Sequence, residues 1–153
     1  MPTPEERLEQ LGVTLPAPAV PVAAYVPCVR TGNLVYVSGQ LPLVDGKPSH
    51  LGRLGADVGP EAGAAAARRC AVNVLAALKA ELGALSRVRR VVKVTVFVAS
   101  EPGSTEQPKV ANGASELLGE VFGEAGRHAR AAVGVAALPL GVPVEVDAIV
   151  QIG

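Results

Sequence analysis

The run VRRVVKVTVFVAS (88–100) constrains the fold of this chain more than any other stretch. β-Branched side chains lose rotamer freedom in a helix and pack well on a pleated surface, so the run is read as a strand. Val92, Val94, Val96 and Val98 are expected on one face, with Lys93, Thr95 and Phe97 on the other. The C-terminal segment VPVEVDAIVQI (142–152) alternates in the same way. It sets Val142, Val144, Val146, Ala148, Val150 and Ile152 against Glu145, Asp147 and Gln151. Two strands with one apolar face each require a sheet covered on one side.

The cover comes from two amphipathic stretches. Residues 60–82 open on Pro60, stop at Gly83 and carry Ala67, Ala71, Val74, Leu75, Leu78 and Leu82 at helical spacing. Residues 108–122 repeat the pattern with Val110, Ala114, Leu117, Leu118 and Val121. Residues 4–11 read as a short N-terminal helix, followed by an extended lead-in, LPAPAVP, ending at Pro21. Strands are expected at 22–30 and 34–38, joined through Thr31-Gly32-Asn33, and at 129–137 before a turn at 138–141. Residues 40–59 are expected as loop, with room for a short strand at 51–54. The class is α+β: a mixed sheet with two helices on one face, in a single domain over 1–153 whose residues 1–20 form an N-terminal extension. The opposite face would carry Phe97, Thr95 and Ile149 beside Lys93, Glu145 and Asp147. That mixture suits an oligomer interface or a site.

Several function classes fall away on composition. With 49% hydrophobic and 18% charged residues the chain is no disordered segment, and charges interrupt its longest apolar runs before they could span a bilayer. The segment MPTPEERLEQ lacks the apolar centre of a secretory signal. Fourteen basic residues balance fourteen acidic ones, which argues against nucleic acid as the partner. Cys28 and Cys70 stand far apart, forming neither a disulfide framework nor a zinc pattern, and fit a reducing cytoplasm. His50 and His128 are the only histidines, so metal chemistry is poorly supplied; no metal and no other cofactor is expected. No Ser-His-Asp pattern, phosphate loop or dinucleotide fingerprint is present.

The informative pair is Arg130 and Glu145. If their strands are neighbours, a guanidinium and a carboxylate reach a common cavity. Arginine grips a substrate carboxylate with two parallel N–H bonds, and a glutamate beside it can activate water. The plain alternative is a salt bridge between strands.

Two blocks bear on that choice. Val37-Ser38-Gly39-Gln40-Leu41-Pro42, and Ala129-Arg130 followed by Val133, Val135, Leu138-Pro139 and Val144-Glu145-Val146, resemble the RidA (YjgF-like, UK-type, "L-PSP endoribonuclease") family. Tyr25-Val26, the 92–98 strand and Asn112 support the resemblance, which runs from about residue 21 to the end. It implies a fold like trimeric bacterial chorismate mutase, and homotrimers with sites between subunits. It also implies hydrolysis of enamines and imines such as 2-aminoacrylate to 2-keto acids and ammonia. By position, Arg130 resembles the arginine that binds the substrate carboxylate and Glu145 the residue that places the attacking water. Tyr25, Ser38 and Asn112 resemble site-lining residues, with Asn112 one residue further from Arg130 than is usual. The chain departs from the pattern at Ala132, where deaminase-active members usually carry Cys, and at His128, where a small residue or proline is usual. Ala132 retains a backbone N–H and C=O able to touch substrate, but not the thiol. It also keeps open a second function, a carboxylate-binding protein without turnover. An RNA-directed activity, which the older family names suggest, fits the neutral composition poorly.

Overall fold

The computed structural model describes every residue of the chain except Ala19 and Val22. In chain order its main elements are α1 (Pro4–Gln10), β1 (Cys28–Thr31), β2 (Leu34–Gln40), β3 (Leu43–Val44), β4 (Lys47–Pro48) and α2 (Pro60–Leu82). β5 (Val88–Ala99), α3 (Gln107–Phe122), β6 (Ala129–Val135) and β7 (Val144–Ile152) follow. Five strands form one mixed sheet in the order β1-β2-β7-β5-β6. β7 lies antiparallel to both β2 and β5, whereas β5 and β6 run parallel. A parallel pair needs a crossover, and α3 supplies it.

The helices lie where the apolar stripes demand. Pro60 occupies the first turn of α2, where a missing N–H costs nothing, and Gly83 takes φ 81° to end it. α2 and α3 pack so closely that a Cβ on Gly113 would run into the Ala64 carbonyl, and one on Gly63 would meet Val110 at 2.7 Å. This close approach explains the Ala- and Gly-rich stripes. α1 joins the same layer as a third helix: Leu8 is buried, and Glu5 accepts hydrogen bonds from Lys79 Nζ and the Leu85 N–H, both at 2.8 Å. The core is Val, Leu and Ala with Cys70, Phe122 and Ile152, and holds no buried polar side chain among the described residues. Truncating Leu75 or Leu117, both fully buried, would cost about 2–5 kcal/mol.

β7 alternates buried and half-buried without a break, as its sequence implies. β5 departs from expectation. Its register against β7 shifts between Val88 and Arg90 and again between Val91 and Lys93, so Val91 enters the core and Val92 is left exposed. A bulge of this kind turns side chains to the other face. The first strand begins at Cys28 rather than 22; residues 23–27 form no strand and Val22 lies outside the described residues. β6 ends at Val135 and β7 starts at Val144, each shorter than expected. The 40–59 segment contains a small hairpin, β3–β4, whose Asp45-Gly46 turn takes φ 52° and 78°. No strand forms at 51–54; Leu54 makes only isolated bridges to Val58 and Ser100.

Candidate functional site

β6 and β7 are not neighbours. β5 lies between them, so the premise that Arg130 and Glu145 face each other across adjacent strands is overturned. Arg130 stands opposite Val94, on the helix-covered face, and Glu145 stands opposite Phe97, on the open face. Strand spacing of about 4.8 Å and a rise of about 3.3 Å per residue place their Cα atoms about 14 Å apart. The interstrand salt bridge is excluded with it. Within one chain the expected site residues divide into two groups.

The first group gathers on β2 and β7. The pairing of these strands passes from Val37↔Ala148 to Gln40↔Val146, leaving Ser38 and Gly39 in a bulge. Ser38 Oγ donates to Val26 O at 2.6 Å and the Ser38 N–H to Pro27 O at 2.8 Å. These bonds fasten the segment carrying Tyr25, itself more than half exposed, beside the bulge. Gln40 Nε2 donates to Ser38 O at 3.2 Å and braces the turn. The Glu145 carboxylate lies directly over Gly39, in space that any Cβ would take. Burial pushes the Glu145 carboxyl above the ordinary glutamate range, and the neighbouring Asp147 adds to the shift. Burial raises Asp147 as well, against the opposing pull of Thr95 hydrogen bonds and Lys93. No ion pair involves Glu145 among the described residues. The result is a half-buried carboxylate with raised proton affinity, suited to taking a proton from water.

The second group lies between β6 and α3. Arg130 Nη1 donates to Asn112 Oδ1 at 2.8 Å and to Ser115 Oγ at 3.2 Å. Asn112 therefore reaches the arginine despite its extra residue of spacing. Ala132 follows two positions along β6 on the same face and packs partly against the core. Both Nη1 hydrogens are occupied, while Nε and Nη2 bond no protein group among the described residues. That Nε–Nη2 edge is the geometry that receives a carboxylate at two points. A cavity of about 270 Å³ is lined by Ser115, Gly119, Gly126, Arg127, His128 and Arg130.

Residues 5–149 match the family described as "YjgF/chorismate mutase-like, putative endoribonuclease". The chain belongs to the YjgF family. It is 54% identical over 146 residues to "Protein TCP17" of Trypanosoma cruzi, which spans 95% of this chain and 91% of the relative. The crystal structure of a protein of unknown function from Agrobacterium tumefaciens is 54% identical, superposes with a TM-score of 0.92, and is covered over 98% of this chain and 92% of that one. E. coli TdcF, crystallised with bound serine, is 27% identical with a TM-score of 0.62, over 90% and 94% of the two chains. The α+β, chorismate-mutase-like architecture of the YjgF family is thus the architecture of this chain.

Three site features of this YjgF-family chain escape a reading by residue type. Gly39 matters for its missing side chain, although it sits inside the Ser-Gly-Gln-Leu-Pro block that carried the resemblance. Ser115 gives no signal in sequence, because only the fold brings helix position 115 beside strand position 130. His128, a departure from the pattern, donates or accepts at both ring nitrogens: Nε2 lies 2.9 Å from Ser115 Oγ and Nδ1 2.7 Å from Gly126 O. The cysteines stay outside both groups. Cys70 is fully buried with its thiol pushed up by burial, and the Cys28 thiol is pushed up to about 11 by burial and by Glu81, against Arg30. Among the described residues no helix is long and apolar enough to cross a membrane, and no cluster of His, Cys, Asp or Glu could hold a metal.

Proposed function

We propose that the chain hydrolyses small enamines and imines of 2-keto acids, such as 2-aminoacrylate, in clefts between the subunits of a homotrimer. The observation that carries this reading is the division of the site. Each chain presents on one face an arginine edge without a protein partner among the described residues, and on the other a poised carboxylate, so one cleft holds both only where two copies meet. The bound serine of TdcF supports a ligand with a carboxylate beside a nitrogen-bearing carbon. Arg130, fixed by Asn112, takes the substrate carboxylate through Nε and Nη2. Tyr25, Ser38 and the backbone at Ala132 line the cleft.

The reaction starts once the enamine has taken a proton at carbon to become the iminium. Water adds to the C=N carbon while Glu145 accepts one of its protons. The carbinolamine then collapses: Glu145 returns the proton to nitrogen, the C–N bond breaks as Glu145 takes the hydroxyl proton and the C=O forms, and the departing ammonia accepts that proton, so that the 2-keto acid and ammonium leave. The step requires no metal or organic cofactor. The free thiols of Cys28 and Cys70 suit a reducing cytoplasm.

The test separates the two residues. Arg130→Ala or Arg130→Lys should weaken 2-keto acid binding by roughly 1.5–3 kcal/mol for each charge-assisted bond lost. Glu145→Gln should bind normally in calorimetric titration and lose about 10²–10⁴-fold in ammonia release from 2-aminoacrylate generated in situ. Light scattering should give the mass of three chains. Normal affinity in Arg130→Ala ends the carboxylate reading. Keto-acid affinity without turnover in the unaltered protein leaves the carboxylate-binding function that Ala132 keeps open.

A further inference from the structure

Arg130 is held by more than Asn112. The Gly126 carbonyl is an acceptor only, so the His128 Nδ1 that faces it at 2.7 Å carries the proton. With Nδ1 carrying the ring's single proton, Nε2 is an acceptor, and the Ser115 hydroxyl, 2.9 Å away, donates to it. With its proton committed to His128, Ser115 Oγ turns a lone pair toward Arg130 Nη1, which donates at 3.2 Å. The polarity runs one way: Arg130 to Ser115 to His128 to the Gly126 carbonyl. A helical serine without such a partner turns its proton to the carbonyl four residues back. Here the histidine removes that choice.

We propose that Ser115 and His128 are positioning residues for the carboxylate-binding arginine. They occupy the second Nη1 hydrogen and so fix the plane of the guanidinium, leaving the Nε–Nη2 edge aimed into the cleft. Asn112 alone takes one hydrogen and leaves the guanidinium free to swing about that bond. Two acceptors on one nitrogen define its orientation. The inference rests on the carboxylate role of Arg130 given above and adds the residues that orient it. Both residues are half-buried, on α3 and at the mouth of β6, where the packing of α3 against the sheet edge holds their spacing.

The consequence is a binding effect transmitted through Arg130, with the water-activating half of the site untouched. Ser115→Ala should raise the Kd for a 2-keto acid, and the KM of any turnover, by about 3- to 10-fold with kcat little changed. His128→Asn keeps a donor for Gly126 O but cannot reach Ser115, and should raise Kd by about 2- to 5-fold. His128→Gln sets an amide oxygen near the Nε2 position and should recover most of that loss. The double variant Ser115→Ala/His128→Asn should be no worse than Ser115→Ala, because both act through one bond. A merely structural role predicts lower melting temperatures without this pattern in Kd. Arg130→Ala is measured in parallel to keep the two questions apart. Affinity lost in Arg130→Ala but retained in Ser115→Ala and His128→Asn overturns the positioning inference alone. Affinity retained in Arg130→Ala overturns the carboxylate reading beneath it. Additive losses in the double variant also overturn the relay.

Discussion

Gly39→Ala tests how the candidate base is held. A Cβ at this position would lie 2.9 Å from Glu145 Cδ and 3.2 Å from Cγ, with Oε2 closer still. Ordinary contacts begin near 3.5 Å, so the carboxylate must retreat by about 1 Å or more. The backbone itself accepts alanine, because Gly39 does not take the positive φ that would strain it. Turning Glu145 off its rotamer costs roughly 0.5–1.5 kcal/mol. Replacing glycine by alanine offsets that by about 0.4–1 kcal/mol through the unfolded chain. These terms nearly cancel. With about 2–4 °C per kcal/mol for a chain of this size, the melting temperature should move by no more than a few degrees.

Catalysis has no such compensation. A reacting group misplaced by about 1 Å loses about 10²-fold in rate, because the near-attack geometry is gone. Gly39→Ala should therefore reduce ammonia release from 2-aminoacrylate by about two orders of magnitude. Calorimetric affinity for a 2-keto acid, which the proposed function assigns to Arg130, should survive. Combining it with Glu145→Gln should add little further loss, since a displaced base and an absent one are equivalent. Full turnover in Gly39→Ala would refute the assignment of Glu145 as the base held over Gly39. So would a fall in melting temperature large enough to account for the lost activity.

Two further predictions concern pH and the pocket. The Glu145 carboxyl binds its proton more tightly folded than unfolded, so its contribution to stability is present below the ordinary carboxylate range and lost as pH rises past the raised folded value. Glu145→Gln should therefore melt higher than the unaltered protein at neutral pH, with the difference vanishing in acid; an equal or lower melt at neutral pH would contradict burial as the dominant influence on Glu145. Glu5 does not confuse this comparison: burial pushes it up, but the Lys79 and Leu85 bonds outweigh burial and hold it below the usual range, equally in both proteins. Ala132→Cys restores the thiol beside Arg130 and should raise 2-aminoacrylate turnover or leave it unchanged; a large loss in the same ammonia assay would mean the pocket is organised around Ala132.

What was legible in the sequence was local. Pro60 and Gly83 bound α2 because one tolerates a first turn and the other a left-handed exit, and both signals sit within the helix they delimit. The alternation of β7 reads off directly because one face is wholly buried. The bulge that brings in Val91 for Val92 depends on pairing with β7, a partner more than fifty positions away in the chain, and no periodicity within 88–100 records it. The adjacency of β6 and β7 failed for a related reason. A short turn between consecutive strands suggests a hairpin, yet β5-α3-β6 is a crossover that seats β6 parallel to β5 at the sheet edge. β7 then enters between β2 and β5. The helix between two strands was visible, and its demand for a parallel pair outweighs the turn. The candidate site residues are named by the resemblance, but the division of those residues between the two faces of the sheet follows from topology alone.

That division and the aromatic residues point the same way. The chain has two Tyr and two Phe, and only Phe122 packs into the core. Phe97 and Tyr36 lie on the open face of the sheet, and Tyr25 stands exposed beside the bulge. A core of Val, Leu and Ala buries little area per residue, so the largest apolar groups sit where a second copy would cover them. The same face carries Glu145 and Asp147. In the proposed assembly, the contact that covers Phe97 and Tyr36 also takes water from Glu145 and pushes its carboxyl further up, while Arg130 of a neighbouring subunit pulls it down. A substrate carboxylate on that arginine neutralises the pull. Glu145 is then most basic when the cleft is both closed and filled, so proton abstraction from water is coupled to the presence of substrate by charge alone.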